Sequence, residues 1–406
     1  MDHQRGGVCN LFSRLRARRP ARGRTAAARH HRLRRRHSLD AQFPRRLRSR
    51  DARDAATVRR GLESRRELRA DLSCDDIPAD HPTGVVVALA PAYPAARAQQ
   101  GRQRGNGVSS AVRIAAHAKV NLFLRILARE TSGFHQIETA FALLDLADEL
   151  VVRRIESGVT LEIDGPDLGP SEDNLAVRAA RAVLEATGNR FGVAVKLTKR
   201  IPVRAGLGGG SSDAAAALHA VNALAGHAVP RQELLHFATR LGADVAFFTA
   251  GAPLALAWGR GERHFRVPAP PSCPALIAVP PPAMQVATPD AYAWWDEQNR
   301  TPASRGPVTL DADALSTWGS IGRLGGNDFE PVVFAKYPEL RALYERLAET
   351  GPIWVRLCGS GSAVAAVYKK ESERDDAKQR LGTTRQELIA TATRATPPSP
   401  PETISS

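Results

Sequence analysis

The sequence predicts an α+β fold, and three observations carry that prediction. Alternating apolar and polar runs mark strands and 3.6-period runs mark helices, but the two kinds follow one another without a regular strand–helix–strand repeat. A glycine-rich join, Gly206-Leu207-Gly208-Gly209-Gly210, links a basic strand to a helix of small residues. The charge is also unevenly placed. Residues 1–110 hold 25 Arg, no Lys and 10 acidic residues, and so carry the whole net charge of +15. Residues 111–406 hold 32 basic and 32 acidic residues and are neutral.

The neutral part is where a fold is expected. Residues 1–110 show no sustained apolar period and read as an N-terminal extension that is disordered or mis-assigned, from a reading frame begun too early. A transit peptide and a basic arm that touches nucleic acid are the other readings. Three aromatics, Phe12, Phe43 and Tyr93, are too sparse for a base-stacking platform. Cys9, Cys74, Cys273 and Cys358 have no metal or redox spacing, which fits a reducing cytoplasm. The apolar run Val85–Ala96 is too short to span a bilayer, so no membrane partner is expected.

Order is expected to begin near Val112. Val112–Leu127 alternates as a strand, with Lys119, Asn121 and Phe123 opposite Ala118, Val120, Leu122 and Leu124. Lys119 and Asn121 form either a polar pair for a ligand or a solvated strand face. Ser132-Gly133-Phe134-His135 is a turn with an aromatic residue and a histidine, and a lone histidine is often structural. Glu138–Leu144 and Asp148–Arg153 read as two strands around a short loop, and Val159–Ile163 as a third. Asn174–Thr187 is an amphipathic helix closed by Gly188-Asn189.

A strand, Val193–Val203, then enters the glycine join, and a helix, Ser212–Leu224, leaves it. Glycines without Cβ atoms let backbone N–H groups approach a ligand, and Ser211 and Ser212 stand where an N-cap is expected. A helix N-terminus behind such a loop suits phosphate. The P-loop needs a Lys before its Ser/Thr, and Gly210 stands there. The dinucleotide fingerprint needs an apolar strand, and this one carries Lys196, Lys199 and Arg200.

Downstream, Arg231–Leu241 is a helix ended by Gly242. Asp244 follows among small and apolar residues, as a helix cap or as a partly buried carboxylate with a task. Ala252–Trp258 and His264–Val267 form a hairpin, and Leu276–Val279 is a buried strand before Pro280-Pro281-Pro282. Thr288–Gln298 is a helix, Ser304–Gly326 is loop, and Asn327-Asp328-Phe329-Glu330 opens a helical region through Pro338–Glu349. Trp354–Leu357 runs into a second glycine turn, Cys358-Gly359-Ser360-Gly361-Ser362, and then a strand, Ala363–Lys369. The small residues of that turn would let it lie against the first loop. Residues 395–406, rich in Pro and Ser, read as a disordered tail.

Taken together, Ala118–Leu122, Gly133-Phe134-His135, Ile201–Ala214, Gly242–Val245, Asn327–Glu330 and Gly359–Ser362 resemble the GHMP kinase superfamily, in order over about 112–370. The extension 1–110 has no counterpart there. The resemblance implies two lobes, 111–265 and 266–394, with the active site in the cleft between them. It implies ATP, Mg²⁺ and phosphoryl transfer to the 2-hydroxyl of a diphosphocytidyl methylerythritol. Asp244 would be the catalytic acidic residue and Lys119 its partner. Pro202, Val203, Arg204, Ala205, Gly206, Leu207, Gly208, Gly209, Gly210, Ser211 and Ser212 would form the ATP-phosphate loop. Phe134 and His135 would hold the cytosine, and Asn121 would face the substrate. Ser211, Ser212 and Asp213 lie near enough to the loop to be candidate Mg²⁺ ligands. Three positions depart from the pattern: Arg204 replaces a small residue, Ala246 a proline and Phe134 a tyrosine. A homoserine or mevalonate-type kinase, and a nucleic-acid-binding protein led by the Arg-rich extension, are the competing readings.

Overall fold

The computed structural model describes residues 110–299, 313–382 and 386–404, and all of these belong to one compact unit, Gln100–Ser406. The expectations for 1–109 and 300–312 lie outside the described residues. Two strands set the frame. β1 is Ala111–Arg129 and β2 is His135–Ile155, paired antiparallel from Ala111↔Arg153 to Arg129↔His135. The sequence reading expected a loop near residue 145, dividing β2 into two strands. The structure instead runs one strand through it, because the two halves of β2 serve different neighbours. Ile137–Ala142 pairs with β5 (Leu254–Gly259), and Glu149–Ile155 pairs with β4 (Gly192–Thr198).

The first sheet has the order β11-β1-β2-β4-β3, where β3 is Val159–Asp164 and lies parallel to β4, and β11 is Glu402–Ile404. β6 (Arg263–Arg266) extends the β5 branch. Against one face pack α1 (Leu175–Ala186), α2 (Gly209–Leu224), α3 (Arg231–Leu241) and α4 (Ala243–Ala250). Asn174 caps α1 by accepting from Ala176 N–H at 2.9 Å, as its position before the apolar period predicts. The run Ala214–Leu218 in α2 is buried throughout, and residues this small let α1 and β1 approach the helix closely.

The second sheet is antiparallel in the order β10-β7-β9-β8: Glu387–Ala392, Pro274–Val279, Val364–Val367 and Trp354–Leu357. Around it lie α5 (Thr288–Gln298), α6 (Trp318–Ile321), α7 (Glu330–Lys336), α8 (Pro338–Ala348) and α9 (Glu371–Leu381). A shared core joins the two sheets: Ala118, Val120 and Leu122 of β1 meet Ile201, Leu207, Ile277 and Ala365. β1 is thus buried on both faces from Ala116 to Leu124, which excludes a solvated face at Lys119 and Asn121.

Two further expectations are corrected. β4 ends at Thr198 rather than Val203, because Asp148 draws the N–H groups of Arg200 and Ile201 out of the ladder at 2.5 and 2.8 Å. Residues 395–404 are not a disordered tail: Glu402–Ile404 pairs with Ala111–Arg113. Prolines block pairing only where they stand, and the Glu-Thr-Ile that follows them can still complete an edge.

Candidate active site

Two local distortions of β1 place the first polar pair. Register shifts fall between His117 and Lys119 and between Asn121 and Phe123, and such bulges re-aim side chains. Lys119 and Asn121 are 4 and 2 % exposed. Lys119 Nζ donates to Asn121 Oδ1 at 2.7 Å, and Asn121 Nδ2 donates to Thr139 Oγ1 at 2.9 Å. This chain fixes the ammonium and leaves it protons to spare. It lies 3.5 Å from Asp244 Oδ2. Asp244 sits in the first turn of α4, with the side chain 34 % exposed, so the carboxylate faces open space from a helix N-terminus that favours its charge. Cys358, behind Lys119, has a thiol pushed up to about 12 by burial, so it is inert at neutral pH.

Beside this pair lies the glycine loop. The sequence reading began the helix at Ser212 with serine caps. Instead α2 begins at Gly209, and its N-cap is Gly208 at φ 73°, with no side-chain cap. Ser212 N–H bonds Gly208 O at 2.9 Å, whereas the N–H groups of 209–211 make no hydrogen bond among the described residues. A serine cap would have consumed one of these donors; a glycine leaves them for a ligand. The cavity over the loop is about 260 Å³ and is lined by Leu168, Leu175, Lys199 and 202–211. Ser211 lines it, while Ser212 and Asp213 are buried.

The second glycine turn does pack on the first. A Cβ on Gly206, at φ +79°, would stand 1.8 Å from Cys358 O. Ala363 N–H donates to Ala205 O at 3.2 Å, and Lys119 N–H donates to Leu207 O at 3.0 Å. The loop is therefore held by backbone contacts to both sheets. Arg204 occupies the left-handed region at φ 57°, which explains why a residue without Cβ suits that position.

Asn327-Asp328-Phe329-Glu330 positions the second turn rather than a ligand. Asn327 Nδ2 donates to Leu357 O and Gly359 O at 3.0 and 2.6 Å. Asp328 Oδ2 accepts from Ile126 N–H at 2.6 Å, and Glu330 Oε1 from Leu357 N–H at 3.0 Å. The motif ties the turn to β1.

Phe134 is exposed, with the Arg260 guanidinium 4.1 Å from its ring centroid. His135 is buried. Its Nε2–H faces Asp296 Oδ1 at 2.7 Å, its ring stacks on Tyr292 at 4.3 Å, and Trp295 meets it edge-on at 5.9 Å. Burial, helped by the charge of Asp244, pushes the Tyr292 hydroxyl up to about 12. Tyr292 thus stacks on the histidine within electrostatic reach of Asp244. Sequence reading missed Tyr292, Trp295 and Asp296, because a long separation from His135, 161 residues for Asp296, is closed only by packing.

It also missed a buried cluster at the root of the loop. Lys199 Nζ bonds both Asp148 Oδ2 and, at 2.8 Å, Asp213 Oδ2. Burial opposes the Lys199 charge, yet the carboxylates of Asp213 and Asp148 raise its pKa. Burial pushes the Asp213 carboxyl up to about 7, and its Oδ1 has no hydrogen-bond partner.

Comparison with known proteins agrees with this geometry. Residues 174–252 match the GHMP kinases N terminal domain and 311–385 the GHMP kinases C terminal. The 4-diphosphocytidyl-2-C-methyl-D-erythritol kinase of Solibacter usitatus is 39% identical over 260 residues, 63% of this chain and 80% of that protein. That of Chlorobaculum tepidum is 38% identical over 260 residues, 64% of this chain and 90% of that protein. A crystal structure of 4-(cytidine 5'-diphospho)-2C-methyl-D-erythritol kinase superposes with TM-score 0.59 at 37% identity, covering 69% of this chain and 98% of that one. A homoserine kinase from Cytophaga hutchinsonii superposes with TM-score 0.57 at 19% identity, covering 74% and 99%; this likeness concerns the fold alone. On these matches the chain belongs to the 4-diphosphocytidyl-2-C-methyl-D-erythritol kinase family of the GHMP kinases.

Proposed function

We propose that the protein transfers the γ-phosphoryl group of ATP to the 2-hydroxyl of 4-diphosphocytidyl-2-C-methyl-D-erythritol, in non-mevalonate isoprenoid precursor biosynthesis. The observation that carries this is the Lys119–Asp244 pair, 3.5 Å apart beside an uncapped helix N-terminus. An alcohol is a poor nucleophile. Asp244 orients it and accepts its proton as the new P–O bond forms. Lys119, 3.5 Å from that carboxylate, faces the charge on the phosphoryl oxygens. The N–H groups of 209–211 hold the leaving diphosphate, with residues 202–212 as the ATP loop. Positioning and charge stabilisation supply most of the acceleration.

Mg²⁺ enters as part of the Mg²⁺–ATP substrate. No group of three or more His, Cys, Asp or Glu suited to a metal stands among the described residues, so the phosphates supply most of its ligands. Ser211, which lines the cavity, is the side chain offered to it; Asp213 is committed to Lys199.

Specificity follows from the turn at 133–135. Arg260 covers one face of Phe134 and leaves the other for a base. With Nε2–H directed at Asp296, the other ring nitrogen of His135, Nδ1, is the one offered to the base. Asn121, which accepts from Lys119 Nζ, is the polar side chain assigned to the substrate in this reading. Among the described residues no helix is long and apolar enough to cross a membrane, and Cys273 and Cys358 are free.

The test is ATP-dependent phosphorylation by the full chain, with the diphosphocytidyl substrate, homoserine and mevalonate offered in parallel. Turnover of the first alone is expected. Preference for either of the others would overturn the substrate assignment while leaving the kinase fold.

A further inference from the structure

Against α2 lies a second cavity, of about 370 Å³. One wall is α2, through Ser212, Ala215, Ala216 and His219; another is the end of α4, through Phe248–Gly251. Pro397–Pro401 crosses its mouth as a strap. The strap is held on one side by β11 and on the other by Arg394, which pairs with Asp145 at 2.7 Å.

The charge in this cavity is unbalanced. Arg231 and Arg266 both line it, and no acidic residue does. Both guanidinium groups donate to one oxygen, Ala250 O, Arg231 at 3.0 Å. Neither pairs with a carboxylate among the described residues. Burial and then the charge of Arg231 depress the Arg266 pKa. The plain reading is that a cation caps the C-terminus of α4, and one arginine would serve. A second beside it adds like-charge repulsion that the fold itself does not relieve. Thr249 supplies an independent observation. It lines the cavity, is 2 % exposed, and its Oγ1 is buried without a hydrogen-bond partner.

We propose that this cavity is a binding site for a compact phosphate-bearing anion, gripped by Arg231 and Arg266 with the Thr249 hydroxyl as a further donor. Two guanidinium forks meet tetrahedral phosphate oxygens in bidentate fashion. Burial keeps His117 and His219 neutral, so the permanent charge of the cavity is that of the arginines. The volume lies at the small end of the range for ligand sites, about 300–1,000 Å³. It admits inorganic phosphate or the phosphate of a small organic ester, not a nucleotide. The site is distinct from the cavity over the glycine loop, with which it shares no lining residue.

Calorimetric titration of the full chain tests this, with the ATP loop first saturated by a non-hydrolysable Mg²⁺–ATP analogue and chloride held constant. The probes are inorganic phosphate and glycerol 3-phosphate. One equivalent of at least one probe is expected to bind, and Arg231→Gln and Arg266→Gln should each weaken it at least about tenfold. Tighter binding of the ester identifies an organic phosphate as the ligand; tighter binding of the inorganic ion identifies free phosphate. Arg231 is exposed, so its variant folds and decides the matter even if Arg266→Gln does not. Failure of both probes to bind, or binding unchanged in Arg231→Gln, would overturn the proposal.

Discussion

Two lysine–aspartate groups stand on either side of the glycine loop, and their surroundings give them opposite roles. At Lys119–Asp244 the charges are 3.5 Å apart and the carboxylate is 34 % exposed. At Asp148–Lys199–Asp213 every side chain is 4 % exposed or less, and Lys199 touches both carboxylates. The first pair is held apart and open, so a hydroxyl and a phosphoryl group can enter between its members. The second is closed, and removing Asp148 or Lys199 leaves a charge or backbone donors without partners. Ion pairing alone therefore says little about function; access to the pair says more.

The largest expected effect breaks the open pair. Asp244→Asn keeps the shape and removes the proposed proton acceptor, so kcat should fall by roughly 10²–10⁴-fold, with the melting temperature nearly unchanged. Steady-state kinetics beside a thermal melt would check both halves. If stability fell as far as activity, the distinction between the two clusters would collapse.

Breaking the closed cluster should do the reverse. Asp148→Ala leaves the N–H groups of Arg200 and Ile201 unpaired and takes one carboxylate from Lys199. A loss of about 3–5 kcal/mol is expected in urea denaturation. An equally stable variant would mean that the cluster does not hold the root of the loop.

The loop between the clusters offers a third test. Gly206→Ala drives a methyl group toward Cys358 O, 1.8 Å from its ideal position, at a left-handed φ of +79°. The backbone conformation alone costs about 1–2 kcal/mol. The two glycine turns must also separate, so KM for ATP should rise more than KM for the alcohol substrate. Equal rises in a two-substrate kinetic grid would show that the turns are not coupled to the nucleotide.

A further test sharpens the contrast through pH. The Asp213 carboxyl is raised from 3.8 to about 7 by burial. Between those values the folded state holds a proton that the unfolded state has released. Stability should therefore fall as pH rises from about 4 through about 7, by at most about 1.4 kcal/mol per pH unit. Asp213→Asn should flatten that slope in denaturation series across the window. An unchanged slope would assign the proton elsewhere.

How much of this was legible beforehand differs from element to element. Helix α1 was readable because Asn174, an apolar period and Gly188-Asn189 agree locally. The glycine loop was readable because its chemistry is packed into consecutive residues. Asp244 and Lys119 were picked out by resemblance, since residues 125 apart carry no spacing signal of their own. The continuity of β2 was not legible, because a polar stretch such as Asp145–Asp148 reads locally as a loop. Asn327–Glu330 was noticed, but its task was not, since its partners are backbone groups of β1 and the second glycine turn. The glycine loop and the α+β class were thus determined by the sequence itself: they rest on residue type and short-range order. Which side of β1 Lys119 faces, that Gly208 rather than a serine caps α2, that His135 is held by Asp296 and Tyr292, and that the C-terminal residues return to the first sheet were decided only by the tertiary structure. Each depends on burial and on contacts across more than a hundred residues, where a side chain's role is set by what packs against it.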